Sequence, residues 1–335
     1  MAATDSYAGG DGRLSPLSTP SATRAVLEAH GIGTKYTLGQ NFLVNDDVLK
    51  KIIALAEVGE NDRVLEVGPG IGTLTIALLK HAASVIAIER DPDLPAVLAD
   101  TLHPWREKFA LIEKDALDVT RDDIVAAMVE IGGDTGYPDR ASSAANETAQ
   151  WAVSQSEDCL SESGYPVAPP QEDLQLSLPS KLVANLPYAV AATVVLDYFE
   201  NFPFMDSATI MVQKEVADRM AAAVGTKNYG AYTVKLGLYA EPAGRFAVGP
   251  GNFFPPPRVD SAVIRLNRRV PLMADGAPAS PEVIAAAALM ADAAFTNRRK
   301  TIANSCKTYF SGRGPVSLGV AGSSAEESGP RIVLL

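Results

Sequence analysis

Strand-like apolar runs alternate with helix-like stretches through most of the chain, and this alternation restricts the folds that are open to it. The runs cover residues 63–67, 84–89, 110–115, 181–184 and 208–213. Parallel strands need crossover connections, usually helices, so this order is typical of a largely parallel sheet with helices on both faces. The sequence therefore predicts an α/β fold.

Segments without apolar periodicity flank and interrupt this pattern. Residues 1–22 and 311–335 are rich in Gly, Ser and polar residues, which predicts that both ends are mostly disordered. Residues 131–180 fall between the third and fourth runs, and 17 of these 50 residues are Gly, Pro or Ser. We expect this acidic segment to be an inserted flexible loop.

The rest of the chain divides into two units. The alternating pattern predicts an α/β domain over residues 23–269. Ser280-Pro281-Glu282 supplies a cap residue, a first-turn Pro and an early acid, which together are typical of a helix start. We expect this helix to continue to residue 295 and a second helix to cover 296–310, so that 280–310 form a small helical domain.

The formal net charge is -11, and the insert, with eight acidic residues and one Arg, carries -7 of it. An acidic chain argues against indiscriminate nucleic-acid binding, because phosphate contacts need a basic surface. Cations downstream of the insert could form a local basic face, although a solvated scatter of charges fits the same residues. They are Lys214, Arg219, Lys227, Lys235, Arg245, Arg258, Arg265, Arg268, Arg269, Arg298, Arg299, Lys300 and Lys307.

Cysteine spacing and hydropathy exclude several classes of protein. Cys159 and Cys306 lie far apart, which predicts neither a disulfide framework nor a metal site. We find no apolar segment of membrane-spanning length and no signal-like N-terminal pattern. We therefore expect a cytoplasmic, monomeric protein without a metal ion.

A glycine-rich turn follows the first run, with the sequence Glu66-Val67-Gly68-Pro69-Gly70-Ile71-Gly72. Glycines at the alternate positions Gly68, Gly70 and Gly72 let the backbone approach a nucleotide-type ligand at the end of the first strand. Their spacing differs from the Gly-x-Gly-x-x-Gly pattern of dinucleotide-binding turns. The turn therefore favours S-adenosylmethionine over NAD.

Three further segments are candidates for contacts to this donor. Glu89 ends the second run, where it could accept both ribose hydroxyls or remain an exposed strand-end acid. Asp115-Ala116 ends the third run near the expected adenine amine, and Asp115 could also cap the following helix. Gly39-Gln40-Asn41-Phe42-Leu43 precedes a helix predicted over 46–55 and could close over the methionine end, although by composition it is only a loop.

Asn185-Leu186-Pro187-Tyr188 follows the fourth run and suggests an acceptor site. The Asn185 side-chain oxygen and the Leu186 carbonyl can accept hydrogen bonds from an exocyclic amine. Pro187 fixes the turn, and Tyr188 offers a ring face for stacking. The alternative is an ordinary strand-ending turn. With the glycine turn upstream, the tetrapeptide indicates methylation of an amino nitrogen on a base.

Together these elements resemble the small-subunit ribosomal RNA adenine dimethyltransferase family, of the KsgA type. The ordered set spans about residues 35–310, and the insert interrupts it. Beyond the segments already described, it includes Gln213-Lys214-Glu215-Val216, Tyr229-Gly230, Phe253 through Pro257, Val259-Asp260-Ser261-Ala262-Val263, and Asn297-Arg298-Arg299-Lys300-Thr301.

The resemblance implies a Rossmann-like class I S-adenosylmethionine-dependent methyltransferase with a small C-terminal helical domain. Its substrate would be two adjacent adenosines in a hairpin loop near the 3′ end of small-subunit ribosomal RNA. Donor contacts are implied at Asn41, Leu43, Gly68, Glu89, Asp115 and Asn185.

Two aromatic rings are candidates for the walls of a pocket that holds the splayed target base. They are Tyr188 and Phe253, and for Phe253 a packed rigid turn is the alternative. Contacts to structured RNA outside this pocket are predicted at Lys214, Arg219, Arg258, Arg298, Arg299 and Lys300. For Lys214 the alternative is a salt-bridged charge at a strand end.

The chain departs from the family's pattern in two places. One is the insert, which we interpret as a tolerated surface loop, with a lineage-specific acidic flap as the alternative. The other is the Gly- and Ser-rich segment from residue 311, where the family continues with further helices, and this puts RNA docking by the last domain in question. Alternatives are a large-subunit RNA or DNA adenine-N6 methyltransferase, or a mainly non-catalytic small-subunit assembly factor.

Overall fold

A computed structural model describes residues 12–33, 40–132, 178–297 and 299–311. Its strands are β1 (Phe42–Leu43), β2 (Arg63–Val67), β3 (Ser84–Ile88), β4 (Phe109–Ile112), β5 (Lys181–Asn185), β6 (Ser207–Gln213), β7 (Ala240–Val248), β8 (Phe253–Phe254) and β9 (Ser261–Arg268). Its helices are α1 (Pro20–Ala29), α2 (Asp46–Ala56), α3 (Thr73–Leu79), α4 (Leu94–Thr101), α5 (Arg121–Gly132), α6 (Ala191–Asn201), α7 (Lys214–Met220), α8 (Ala231–Gly237), α9 (Pro281–Phe295) and α10 (Ile302–Phe310).

The central sheet has the order β4-β3-β2-β5-β6-β9-β7 within the described residues. The five strands from β4 to β6 are parallel, whereas β9 runs antiparallel to both of its neighbours. This confirms the predicted α/β fold. The order changes direction between β2 and β5, and in such sheets the crevice outside the strand ends at this point is where ligands bind.

Both faces of the parallel strands are buried, which explains their nearly continuous apolar sequences. Leu65 and Val67 of β2 pack into one apolar cluster, together with Leu182 of β5. Val64 and Val183 face the opposite side and belong to a second cluster. Because each strand is packed from two sides, the residues at its carboxyl end are held on a rigid frame.

The N-terminal segment corrects the prediction that residues 1–22 are disordered. Leu17 is only 1% exposed, and α1 begins at Pro20 with the Thr19 hydroxyl accepting from the Ala22 N–H. The Asp46 carboxylate accepts from the Leu14 N–H at 2.8 Å. The segment is held by these contacts with distant residues, which local composition does not reveal. Residues 1–11 lie outside the described residues.

The insert begins and ends inside the predicted boundaries of 131–180. Helix α5 continues through Gly132, and Leu178 is buried in the first apolar cluster. Both ends of the predicted insert therefore belong to the α/β domain, and residues 133–177 are outside the described part of the chain.

The helix predicted over 296–310 begins later, at Ile302. The Lys300 N–H donates to the Asn297 carbonyl in a turn, and the Thr301 hydroxyl then caps α10 by accepting from the Asn304 N–H. The helix predicted to end at 295 is confirmed as α9. Residues 312–335, predicted to be a flexible tail, are not among those described.

Antiparallel strands β7 and β9 were not predicted as strands, although part of β9 belongs to the motif 259–263. They extend the sheet beyond β6 and place Ser261 opposite Gln213. Among the residues described, no helix combines the length and apolar character needed to cross a membrane.

Candidate active site

A cavity of about 520 Å³ lies at the carboxyl ends of the central parallel strands. It joins six stretches that are separated in the sequence, which lie within residues 40–43, 66–74, 88–94, 114–116 and 185–190 and at Gln213. The predicted site residues that line it are Gln40, Asn41, Leu43, Glu66, Gly68, Gly70, Glu89, Asp115, Ala116, Asn185, Leu186, Pro187 and Tyr188. The fold therefore brings the expected donor and acceptor residues to one site, at the point where the strand order changes direction.

The turn after β2 needs glycine for two reasons. Gly68 and Gly70 have φ values of 72° and 60°, in the left-handed region that favours glycine. A Cβ added at Gly70 would lie 3.2 Å from the Phe42 ring, so a side chain there would press into a wall of the cavity. This close approach of β1 to the turn forms part of the ligand-sized space.

Gly72 does not line the cavity, contrary to its prediction as a cofactor contact. It precedes α3 with a φ of 89°, and a Cβ at this position would meet Leu102 at 3.0 Å and the Thr101 hydroxyl at 3.2 Å. Its function in the fold is to allow close packing between the turn and α4. The glycines are therefore needed for different contacts: Gly70 lies against the Phe42 ring of the cavity wall, and Gly72 lies against Thr101 and Leu102 at the end of α4.

Glu66 is a buried carboxyl group on the wall of this cavity. It is 1% exposed, and its Oε2 has no hydrogen-bond partner among the described residues. Burial raises its pKa to about 8, the nearby Thr75 hydroxyl opposes this shift, and the neighbouring Glu89 carboxylate adds to it. A cation bound in the cavity would lower this pKa, so a positively charged ligand such as S-adenosylmethionine would favour the ionised form of Glu66.

Glu89 is oriented by the backbone that follows β3. Its Oε1 accepts from the Arg90 N–H at 2.9 Å and from the Asp91 N–H at 2.8 Å. Burial nevertheless raises the pKa of Glu89. Asp91 in turn accepts a 2.6 Å hydrogen bond from the Gln40 amide, which connects the segment before β1 to the end of β3.

Asp115 lines the cavity and caps the helix that follows it, which was one of the two functions suggested by its position. Its Oδ1 caps the short 3-10 helix Ala116–Asp118 by accepting from the Leu117 N–H at 3.1 Å. Its Oδ2 accepts from the Arg90 guanidinium at 2.8 Å, and this hydrogen bond lowers the pKa of Asp115. Arg90 also lines the cavity, and it was missed because a cation after a strand-end acid resembles an ordinary surface charge.

The Asn185-Leu186-Pro187-Tyr188 turn presents acceptor atoms beside the donor turn. The Asn185 Nδ2 donates to the Asn41 carbonyl at 3.2 Å, and no donor bonds to its Oδ1 in the described part of the chain. The Leu186 N–H donates to the Met211 carbonyl at 3.1 Å, and the Pro187 carbonyl accepts from the Val190 N–H at 3.2 Å. Other polar atoms of the turn therefore hold it in place, while the Asn185 Oδ1 has no donor among the described residues.

The two rings predicted as walls of a base pocket differ in position. Tyr188 is half-buried and lines the cavity, and its hydroxyl hydrogen-bonds the Ser261 hydroxyl at 2.7 Å. Burial raises the pKa of Tyr188, so the phenol stays protonated at neutral pH. Phe253 is only 4% exposed and packs in the second apolar cluster, because β8 pairs with β1 and turns the ring into the core. The structure therefore does not place Phe253 at the cavity.

Gln213, which was noted only as part of the motif that continues with Lys214, also lines the cavity. It ends β6, and its neighbour Met211 supports the acceptor turn through the Leu186 N–H. The sequence did contain a signal for Gln213, because it is a polar residue at the end of an apolar run. The carboxyl ends of parallel strands meet at one edge of a sheet, so such a residue is expected near the site.

The predicted RNA-contact residues that the structure describes lie outside this cavity, and two of them are already paired. Lys214 bonds Asp218 at 2.9 Å, and Arg219 bonds Glu215 at 3.0 Å, both pairs one helical turn apart. Arg258, Arg299 and Lys300 are exposed. Arg298 lies outside the described residues.

The predicted basic face is only partly correct. Arg268 is half-buried and donates to the carbonyls of Phe199, Phe202 and Met205, so it supports the fold. Lys235 and Arg265 form ion pairs with Asp292 and Glu57, at 3.0 Å and 2.8 Å.

Comparison with known proteins identifies similar sequences over most of the chain. The model of a family described as "Ribosomal RNA adenine dimethylase" matches residues 33–317. A protein of Paenarthrobacter aurescens named "Ribosomal RNA small subunit methyltransferase A" is 33% identical over 293 residues, covering 86% of this chain and 80% of its own. The protein of the same name from Corynebacterium jeikeium is 34% identical over 318 residues, covering 88% and 84%.

Similar solved structures support the fold. A dimethyladenosine transferase from Plasmodium falciparum has a TM-score of 0.52 and 23% identity, over 81% of this chain and 75% of its own. The 23S rRNA methyltransferase ErmE has a TM-score of 0.52 and 22% identity, over 80% and 84%. At these identities the likeness concerns the fold.

Proposed function

This chain belongs to the ribosomal RNA adenine dimethylase family, and on that basis we propose that it dimethylates two adjacent adenosines near the 3′ end of small-subunit ribosomal RNA. The methyl groups are transferred to the exocyclic N6 amines. The observation that carries this proposal is the Asn185 amide, which faces a donor-sized cavity with its Nδ2 occupied by the Asn41 carbonyl.

The donor half of the cavity fits S-adenosylmethionine, which supplies an activated methyl group on a sulfonium. We propose that Gly68 and Gly70 let the backbone approach the donor closely and that Glu89 accepts its ribose hydroxyls. We propose that Asp115, held by Arg90, accepts a hydrogen bond from the adenine amine of the donor. Asn41, Leu43, Gln40 and Ala116 complete this half, and the buried Glu66 favours a cationic ligand.

The acceptor half aligns a weak nucleophile. The Asn185 Oδ1 and the Leu186 carbonyl accept from the adenine amine, which favours a pyramidal nitrogen and stabilises the positive charge that develops on it. The Tyr188 ring stacks on the splayed base. Since the donor is already activated, positioning supplies most of the acceleration, and no strong base is required. The amine becomes more acidic as it is alkylated and can release its proton to water.

The outer contacts, the partner and the location complete the proposal. Three exposed cations are suited to bind RNA phosphates, namely Arg258, Arg299 and Lys300. Lys214 and Arg219 can do the same when a phosphate replaces Asp218 and Glu215 as their ion-pair partners. We propose that the partner is the immature small ribosomal subunit and that the protein acts as a monomer in the cytoplasm, where its substrate is assembled. Light scattering and cell fractionation check the last two points.

Transfer of labelled methyl groups to small ribosomal subunits that lack this modification tests the function. Mass spectrometry of the digested RNA should show dimethyladenosine at two adjacent loop positions. Methylation of large-subunit RNA or of DNA instead, in parallel reactions, would show that the enzyme acts on that nucleic acid and not on small-subunit RNA. Donor binding without any nucleic-acid product would instead indicate a non-catalytic assembly factor.

A further inference from the structure

The motif 259–263 contributes a buried hydroxyl to the acceptor site, and this residue has no part in the mechanism above. Ser261 is the first residue of β9 and is 0% exposed. Its hydroxyl lies 2.7 Å from the Tyr188 hydroxyl. The two residues are 73 positions apart, so the contact depends on the antiparallel strands that extend the sheet.

The backbone of Ser261 is held on two sides. It pairs with Gln213 of β6 on one side and with Val248 of β7 on the other. The preceding residue contributes as well, because the Asp260 carbonyl accepts from the Lys214 N–H at 2.9 Å. The Ser261 hydroxyl is therefore presented from a strand that cannot shift without disturbing two neighbouring strands.

Tyr188 is held less firmly than Ser261, because it lies in a turn and its ring lines a cavity. The Pro187 carbonyl, which accepts from the Val190 and Ala191 N–H groups, restrains the backbone of the turn but not the ring. Among the described residues the Ser261 hydroxyl is the hydrogen-bond partner of the phenol. The phenol is neutral at neutral pH because burial raises its pKa, so the contact is a hydrogen bond between two uncharged groups.

We propose that Ser261 is a positioning residue for the acceptor base, which holds the Tyr188 ring in its stacking orientation before RNA binds. A preset wall avoids the loss of ring freedom on binding, and that loss would otherwise weaken base capture. The proposal rests on the function proposed above, because it assumes that a base stacks on Tyr188. It also gives a role to β9, which joins the acceptor turn to the β6 end that carries Gln213.

A double-mutant cycle with Tyr188→Phe and Ser261→Ala tests this role. Each variant removes one hydroxyl and keeps the ring. A neutral hydrogen bond of ordinary net strength predicts that each lowers kcat/KM for unmethylated small subunits by about 3- to 10-fold. The double variant should lose no more than either single variant, since both remove the same contact. Affinity for S-adenosylmethionine, measured by calorimetry, should stay within about twofold.

Ser207→Ala is the matched control. Ser207 is also buried and lies at the opposite end of β6, so the same chemical change should leave kcat/KM unchanged. Full activity in either single variant, additive losses in the double variant, or a parallel loss of donor affinity would each overturn the role of Ser261. If Ser261→Ala does not fold, Tyr188→Phe alone must still show the loss. An inactive wild-type protein would instead refute the proposed function.

Discussion

Asn185 couples the two halves of the proposed site, because its Nδ2 binds the segment before β1 while its Oδ1 is proposed to accept from the substrate amine. Its Nδ2 donates to the Asn41 carbonyl, and this bond orients the Oδ1. Removal of an oriented group that acts on developing charge typically costs about 100- to 1000-fold in kcat. A side chain that only ended a strand would have no such effect.

We therefore expect Asn185→Ala to lower kcat for methyl transfer by at least about 100-fold while donor binding remains measurable. The reason is that the amine loses an acceptor, whereas Gly68, Glu89 and Asp115 still line the donor half. Single-turnover transfer and calorimetry measure the two properties separately. Asn201→Ala, which removes an exposed amide that bonds Asp197, is the control and should be fully active. Normal transfer by the Asn185 variant would remove this residue from the mechanism.

Glu66 predicts a pH dependence of stability in the protein without donor. Its pKa is about 8 in the folded state against an ordinary value of 4.5. A buried acid with a raised pKa favours folding while it is protonated, so the free energy of unfolding should fall as pH rises from about 4.5 to 8 and then level off. The fall attributable to this residue is on the order of 5 kcal/mol.

Glu66→Gln should remove that decrease, because glutamine is neutral throughout and has nearly the same shape. Urea unfolding of both proteins between about pH 5 and pH 9 gives the difference, and titration of other groups cancels in the comparison. Parallel curves for the two proteins would show that Glu66 is ionised in the folded state at neutral pH.

The positions of α5 and β5 show which residues of the predicted insert can be deleted without removing part of the α/β domain. Helix α5 ends at Gly132, while Leu178 is buried just before β5. The donor and acceptor residues lie on the flanking strands and turns, so the described geometry does not require residues 133–177. Long surface insertions cost little free energy to close.

Replacing residues 133–177 by a short Gly-Ser linker should keep kcat/KM within about threefold of wild type. Deletion of 131–180 is the matched comparison and should destabilise the protein, since loss of a buried Leu alone typically costs about 2–5 kcal/mol. Thermal unfolding and methyl transfer are measured for both variants. A folded 133–177 variant without activity would show that the insert contributes to function.

For the whole molecule, local charge and total charge have different consequences. The chain carries a net charge of -11, yet Arg258, Arg299 and Lys300 are exposed on the C-terminal half. RNA binding by such a protein depends on where cations are placed, and each phosphate contact adds to the salt dependence of binding. Arg299 and Lys300 precede α10, so the proposed RNA contacts lie at the start of this helix.

Replacing both Arg299 and Lys300 by Ala should raise KM for small subunits and reduce the slope of log KM against log salt by about 1 to 2. The donor affinity should not change. Lys50→Ala with Lys51→Ala removes the same charge from α2 and should leave the slope as it is. An unchanged slope in the Arg299 and Lys300 variant would place the phosphate contacts elsewhere.

Local patterns in the chain were sufficient to predict the parallel strands and most of the residues that line the cavity. Apolar runs marked β2, β3, β5 and β6 to within one or two residues, because strands buried on both faces must be continuously apolar. Glu66, Gly68, Glu89, Asp115 and Asn185 could be predicted because ligands of parallel sheets bind at the carboxyl ends of strands. Each of these residues lies at the end of an apolar run.

Tertiary structure alone decided the parts that depend on distant neighbours. Composition suggested disorder around Leu17, but contacts with residues beyond position 40 bury this segment. Phe253 had the right chemistry for a base wall, and only the pairing of β8 with β1 shows that it faces the core. The contacts of Gly72 and Ser261 also depend on distant parts of the chain. Gly72 packs against the end of α4, and Ser261 hydrogen-bonds Tyr188 in the turn after β5, and no local pattern specifies either contact. Burial and hydrogen bonding between remote residues are properties of the folded chain, and they determine which side chains reach the site.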